Sequence, residues 1–475
     1  MPLIASILAL AALAAPAAGA GLNVVFMMAD DLGWNDVGYH GSDIRTPNID
    51  SIAERGVRLE RYYATPLCSP TRAAFLTGKL PLRYGVDRPI EGVGSLPVQE
   101  RLLPEILRSA GYQTAMAGKW HLGLSHVSHH PHNRGFDSAY GHLGPAVDYW
   151  THIWEGGLDW HRNGEPISEE GYSTALIGEE AERVIRDRDA SRPLFIYVAF
   201  NAPHAPLQAP PATVARYESL SNPNRRTYAA MVEELDTAVG GIVKALESAE
   251  MLENTLVVWC SDNGGAVRIG ADNSPLRDGK GGVFEGGIRV PAVAWKPGEA
   301  EGGRTVDQMV TAVDWLPTIL NAAGIEPTDQ RSIDGVNVWP AIARGERVDR
   351  PAPYVVGVFR NVAVIDGPWK YVEALPRGGN QLGEHLFRLD HDPGESQNLA
   401  EEHPEKLSEL RQVLREFPRA ETVSPNILEP GARRRRAAGG APGKTPRRGP
   451  GRGAGPPEGW KEITREPWAA SARRD

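Results

Sequence analysis

The sequence predicts an α/β protein with a central, mostly parallel sheet flanked by helices on both faces, followed by a smaller α+β region with an antiparallel sheet and one helix. Three observations carry this expectation. Four near-continuous apolar runs are separated by stretches of helical spacing, the pattern of strands covered on both faces by crossover helices. Each run ends in polar or charged residues, and open parallel sheets place their ligand sites beyond the carboxyl ends of their strands. From about residue 353 the pattern changes to short strands joined by tight turns.

In chain order, residues 1–20 form an apolar Leu/Ala-rich run ending in Ala18-Gly19-Ala20, the pattern of a signal peptide cleaved before Gly21. Its start carries no Lys or Arg, so an uncleaved anchor is the competing reading. Export predicts a periplasmic or extracellular protein. No other stretch is long enough to span a bilayer, so no stable membrane span is expected. Residues 22–28 read as the first strand and run into Asp30-Asp31. In Cys68-Ser69-Pro70-Thr71-Arg72-Ala73-Ala74-Phe75-Leu76-Thr77-Gly78, Ser69 is expected to cap a helix, Pro70 to sit in its first turn and Gly78 to end it. A helix over 98–110 leads to a strand at 113–117, which runs into Gly118-Lys119-Trp120-His121. Residues 193–200 run into Asn201-Ala202-Pro203-His204, and 255–260 into Ser261-Asp262-Asn263.

The main body is expected at 21–345 and the smaller region at 346–430, with strands at 355–359, 362–365, 369–374 and 386–389 and a helix over 404–417. Residues 431–475 are a basic, low-complexity tail predicted to be disordered, with Trp460 and Trp468 as candidates for docking back onto the body. The net charge of −9 hides an asymmetry: the tail has twelve Lys and Arg against four Asp and Glu, hence +8, which leaves −17 on the rest. A body this acidic excludes nucleic acid as an expected partner. Two cysteines permit one bridge at most, Cys68–Cys260, and a core of this size does not need it.

Asp30, Asp31, Asp262 and Asn263 offer only oxygen donors, which suits a hard divalent cation, Ca²⁺ before Mg²⁺. Zinc would want His or Cys at paired spacing, which does not accompany these acids. His126, His129, His130 and His132 read as a loop near the cleft or a solvated turn. Cys68 at a helix N-terminus, with Arg72 one turn further on the same face, reads locally as an activated cysteine nucleophile.

The run from Cys68 to Gly78 also resembles, at every motif position, the C-x-P-x-R-x-x-x-L-T-G signature of type I sulfatases. Gly111-Tyr112-Gln113-Thr114 through Gly118-Lys119-Trp120-His121 resembles their second signature, G-Y-x-T-x-x-x-G-K-x-x-H, with the His one position early. Asn201-Ala202-Pro203-His204 resembles the family's strand-end His, and Leu276-Arg277-Asp278-Gly279-Lys280 with Glu285-Gly286-Gly287 its Lys-bearing loop. The segments 33–41, 314–318 and 386–395 look closest to the arylsulfatase B-like branch, which includes N-acetylgalactosamine-4-sulfatase.

The resemblance covers about 22–425 and implies an alkaline-phosphatase-like fold with 21–345 as the catalytic region. It implies that a maturation enzyme oxidises Cys68 to formylglycine, whose hydrate attacks the sulfate ester. By the same resemblance the cation sits on Asp30, Asp31, Asp262 and Asn263, with the converted residue at Cys68 also counted among its metal-site residues, and Arg72 balances the alkoxide there. Lys119 and Lys280 contact sulfate oxygens. His204, with an ordinary pKa, protonates the leaving oxygen, and His121 takes the proton that lets the intermediate eliminate sulfate. The implied substrate is a sulfated sugar or aryl sulfate, with a 4-O-sulfated hexosamine favoured and Tyr149, Trp150, Trp154 and Trp160 as candidate stacking platforms. Phosphate or phosphonate ester hydrolysis is the enzymatic alternative, and glycan binding without oxidation of Cys68 the non-catalytic one. The oligomeric state is left open.

Overall fold

The computed structural model describes residues 21–326, 333–375 and 383–421. The signal-peptide reading of 1–20 and the tail with Trp460 and Trp468 lie outside the described residues. Among the described residues, no helix is long and apolar enough to cross a membrane.

Ten strands form the main sheet: β1 (Asn23–Ala29), β2 (Val57–Leu59), β3 (Gln113–Lys119), β4 (Ser138–His142), β5 (His161–Arg162), β6 (Glu165–Pro166), β7 (Leu194–Ala199), β8 (Thr255–Ser261), β9 (Ala292–Trp295) and β10 (Arg304–Val306). Their order is β10-β2-β9-β8-β1-β7-β3-β4-β5-β6. The five central strands, β8-β1-β7-β3-β4, are mutually parallel. The antiparallel pairs lie toward the edges, which makes the sheet mixed.

Alternation along the strands builds two cores. Val24, Phe26 and Met28 of β1 pack on one face with the helices α2 (Cys68–Thr77), α3 (Leu103–Ser109) and α6 (Trp315–Ala322). Val25, Met27 and Ala29 face the other side, against α1 (Pro47–Arg55), α4 (Ser173–Arg186) and α5 (Pro223–Ser248). The helix expected over 98–110 starts only at Leu103. Pro104 lacks the N–H and the space for a preceding turn, and the Glu105 carboxylate accepts the Leu102 N–H at 2.7 Å.

The second sheet is antiparallel, β11 (Tyr354–Val358), β12 (Asn361–Asp366), β13 (Trp369–Ala374) and β14 (Gly383–Arg388) in sequential order. One face carries α7 (Pro404–Glu416) through Leu410 and Leu414. The other packs on Leu67 and Ala74 of the Cys68 helix region and on Val283 and Ile288. The smaller sheet therefore supports both the Cys68 segment and the segment that follows Lys280.

Candidate active site

The central strands deliver their polar termini to one edge of the sheet, as the apolar runs predict. The Asp30 N–H donates to Ala202 O at 3.0 Å, and the Asp262 N–H to Ala29 O at 3.0 Å. The ladder thus continues just past β1, β7 and β8 and locks their three exits together. Lys119 Nζ lies 2.6 Å from Asp30 Oδ2, and Lys280 Nζ 2.8 Å from Asp31 Oδ2. Arg72 Nη2 lies 2.8 Å from Asp262 Oδ2 and 3.9 Å from Asp30 Oδ2. His204 Nε2 is 3.7 Å from Asp31 Oδ2. Asn263 Nδ2 donates to Asp31 Oδ1 at 2.8 Å.

Cys68 opens α2 from beneath this edge, and its Sγ is 3.2 Å from His121 Nδ1. His121, one residue early against its motif, adopts φ 54°, in the left-handed region. Ser69 does not cap the helix. Its position is already the second helical residue, and its hydroxyl donates to the His121 carbonyl at 2.8 Å while accepting the Ile90 N–H at 3.0 Å. A residue that local rules assign to a cap is in fact the pin that holds the strained His121 turn. Gly78 ends α2 in the left-handed conformation, as expected.

The electrostatics revise two expectations. Burial pushes the Cys68 thiol above its ordinary value despite Lys119 and Lys280, so a helix N-terminus does not yield a thiolate here. Cys68 and Cys260 are both free. Burial and the Lys280 charge push His204 down to about 3, so its ordinary pKa is not retained and the isolated ring is neutral. Its Nδ1 lies 2.6 Å from the Ala205 carbonyl, which fixes the proton on that nitrogen and aims the Nε2 lone pair into the site. Burial, then Lys119 and Arg72, hold His121 well below the usual range as well, leaving it an unprotonated base.

The acids diverge. Burial alone would raise Asp31, but Lys280 and His204 hold it well below the carboxylate range. Burial and the neighbouring Asp30 push Asp262 up to about 7, against Arg72. Asp30 Oδ1 and Asn263 Oδ1 are buried and have no hydrogen-bond partner. Ligand atoms of Asp30, Asp31 and His204 lie within 4.8 Å of one another. Orphaned buried oxygens among crowded carboxylates fit a hard divalent cation. His204 borders that position, which oxygen-only reasoning did not anticipate.

Around this centre, a cavity of about 580 Å³ is lined by Lys280, Leu67, Val267, Asp278 and the exposed Arg268. Of the four aromatic candidates, Trp160 and Tyr149 are fully buried: Trp160 stacks on His152 at 4.3 Å, and the Tyr149 hydroxyl sits 2.7 Å from both the Asn201 and His204 carbonyls. Trp154 is half-buried, and Trp150, 43% exposed, borders a separate groove. The histidine cluster forms two short 3₁₀ turns, with His129 on Ser95 and His130 on the Leu124 carbonyl. Sequence reasoning missed the supports behind the site. Tyr228 donates to Asp36 at 2.7 Å, and Asp36, paired with Arg225, accepts the Gly33 N–H at 3.0 Å and shapes the turn after Asp31. Asp36 stood in the noted 33–41 run, but its distant partners left no local signal.

The Sulfatase family model matches residues 22–325. N-acetylgalactosamine-6-sulfatase from Canis lupus familiaris is 37% identical over 463 residues, spanning 86% of this chain and 87% of its own. Arylsulfatase J from Mus musculus is 37% identical over 364 residues, 73% of this chain, which spans 60% of that relative's length. Among solved structures, Ps i-CgsB in complex with k-i-k-neocarrahexaose aligns with a TM-score of 0.79 at 30% identity, covering 88% of this chain and 98% of its own. The PsFucS1 sulfatase from Pseudoalteromonas sp. aligns with a TM-score of 0.70 at 26% identity, covering 85% and 92%.

Proposed function

The chain belongs to the sulfatase family, whose members are sulfuric ester hydrolases, and we propose that it cleaves a sulfate ester on a sulfated sugar, with Cys68 converted to formylglycine as the attacking group. The observation that carries this reading is the convergence on Cys68 of one base, two lysines, an arginine and a carboxylate cluster. His121 Nδ1 is 3.2 Å from Sγ, and Lys119, Lys280, Asp30 and Asp262 are the charges that bear on it. A thiol held neutral by burial is a poor nucleophile, which favours a chemically converted residue at this position.

Asp30, Asp31, Asp262 and Asn263 would hold Ca²⁺, with Mg²⁺ as second choice, and such an ion supplies Lewis acidity toward a sulfate oxygen. Arg72 balances negative charge at position 68 while keeping Asp262 oriented. Lys119 and Lys280 present fixed cations to the other sulfate oxygens, replacing water. His121, kept unprotonated, accepts a proton at Nδ1 from the hydroxyl at position 68. His204 delivers a proton from Nε2 to the leaving oxygen; burial first and then the Lys280 charge keep the free ring neutral, and the negative charge of the bound ester favours its protonated form. A formylglycine-generating enzyme is the required maturation partner, and export is the expected route.

The substrate proposal is a 4-O-sulfated hexosamine, on the strength of segments 33–41, 314–318 and 386–395. The relative named N-acetylgalactosamine-6-sulfatase makes a 6-O-sulfate the competing outcome. The cavity beside Lys280 and Arg268 suits an anionic glycan. Intact mass of the Cys68 peptide, paired with sulfate release from a panel of position-specific sulfated sugars, tests both parts. An unmodified Cys68 in active protein overturns the nucleophile, and preference for 6-O- or 2-O-sulfate overturns the position. Release of phosphate but not sulfate would move the chain to phosphoester chemistry.

A further inference from the structure

We propose that Lys370, on the smaller sheet, is a positioning residue for Lys280: with Glu285 and Glu395 it forms a buried ion cluster that fixes the Lys280 segment at the site. The inference rests on the reading of Lys280 as a sulfate contact. Lys370 lies on β13, and its side chain, like those of Glu285 and Glu395, is 0% exposed. Its Nζ is 2.9 Å from Glu285 Oε1 and 2.8 Å from Glu395 Oε1. Glu285 is five residues past Lys280 and opens the short helical turn Glu285–Ile288. Its other oxygen accepts the Tyr63 hydroxyl at 2.9 Å, with Arg289 Nη1 at 3.7 Å. Glu395 Oε2 accepts the Glu285 N–H at 2.6 Å, and the Glu395 carbonyl accepts Arg277 Nη1 at 3.0 Å. The Arg277 guanidinium lies over the Phe284 ring at 3.9 Å.

The segment from Arg277 to Glu285 is therefore gripped at both ends by the smaller sheet and its following loop, and Lys280 hangs between the grips. It also touches the rest of the site: the Gly281 N–H donates to Pro66 O at 2.9 Å and the Lys280 N–H to Gly265 O at 3.1 Å. A buried ammonium between two carboxylates is weak evidence for stability, since an apolar cluster of equal volume often serves as well. What it adds is geometry. The Lys370 ion pair and a backbone hydrogen bond to Glu395, itself paired with Lys370, hold Glu285, and so the reach of Lys280 to Asp31, more tightly than packing alone. This gives a role to Glu285-Gly286-Gly287 and to the 386–395 segment, which the catalytic reading leaves without one.

The test is a double-mutant cycle on the mature full-length protein with Lys370→Met, Lys280→Ala and their combination. It reads kcat/KM for 4-nitrophenyl sulfate and the dissociation constant for inorganic sulfate. Lys370→Met is expected to lower kcat/KM about tenfold or more and to weaken sulfate binding in step, to be partly rescued by Lys370→Arg, and to add nothing in the Lys280→Ala background. An equal loss in both backgrounds, or activity within about twofold of wild type, overturns the proposal. A silent Lys280→Ala overturns the sulfate-contact reading first and this proposal with it, so the two failures are distinguishable. If Lys370→Met does not fold, Glu395→Gln, which keeps the acceptor for the Glu285 N–H, carries the same cycle. Failure of both to fold shows a purely structural cluster and also overturns it.

Discussion

Gly118→Ala tests whether strand exits, and not merely the side chains on them, set the chemistry. Gly118 is the penultimate residue of β3 and sits at φ 112°. A Cβ there would lie 1.8 Å from the Ala199 carbonyl oxygen, the backbone of the paired strand β7, whereas ordinary contact begins at 3.4 Å. The two strand ends must separate by about 1.6 Å, the difference between those distances. On its other side Gly118 is the register partner of Gly141 on β4, so the strand is paired in that direction too. The positive φ costs about 1–3 kcal/mol for a non-glycine residue, and overpacking a closed site adds about 1–3 kcal/mol. For a chain of this size that corresponds to a fall in Tm of roughly 2–7 °C. The displaced residues are Lys119, next in sequence, and the 200–204 exit that carries His204, and a misplacement of about 1 Å costs on the order of 100-fold in rate. Thermal unfolding with kcat/KM on an aryl sulfate reads both effects. A folded variant within twofold of wild-type kcat/KM would refute the claim that this backbone approach positions Lys119 and His204.

Three further outcomes are expected. Cys68→Ser, expressed without a serine-oxidising maturase, keeps the fold and loses turnover while accumulating one stalled sulfate ester visible by intact mass; Cys68→Ala loses even that, and multiple turnover in Cys68→Ala refutes the nucleophile. Chelation followed by readdition raises Tm with Ca²⁺, less with Mg²⁺, because the orphaned Asp30 and Asn263 oxygens gain a partner; stabilisation by stoichiometric Zn²⁺ alone would contradict the hard-donor site. Burial pushes His130 down to about 4 from an ordinary 6.5, so the unfolded chain binds the extra proton first, and stability present above pH 6.5 is lost as pH falls toward 4. That contribution is about 3 kcal/mol, and His130→Gln, which keeps a donor for the Leu124 carbonyl, should flatten Tm against pH in this window; an unchanged slope would count against it.

What could be read from the chain and what could not divide along a physical line. The strands were legible because burial on both faces demands continuous apolar runs, and those of 22–28, 193–200 and 255–260 reappear as β1, β7 and β8 shifted by at most a residue or so. Asp30, Lys119, His204 and Asp262 were legible because each lies within a few residues of such a run, where a parallel sheet gathers its ligands. The failures arise where a local rule met a distant partner. Ser69 before Pro70 reads as a cap, but its hydroxyl is used by Ile90 and His121, and nothing local announces either. A cysteine at a helix N-terminus reads as a thiolate, but dipole and cations are outweighed by the burial of the side chain. His204 reads as a titrating acid at its ordinary pKa, but that value assumes solvent, and here a lysine seventy-six residues away sets the field.

The same line explains why the charged cluster beneath Lys280 was invisible. Lys370 and Glu285 are 85 residues apart and Glu285 and Glu395 are 110 apart, and in isolation each is an ordinary surface charge by composition. Only the packing of the smaller sheet on Leu67, Val283 and Ile288 removes all three from water at once. Once buried, none is tolerable without the others, so the sheet and the Lys280 segment must adopt one relative placement. Lys280 then inherits its position from a sheet that contributes no residue to the cavity it lines. Truncating the chain before β11 should accordingly abolish turnover even though every residue of the proposed reaction is retained.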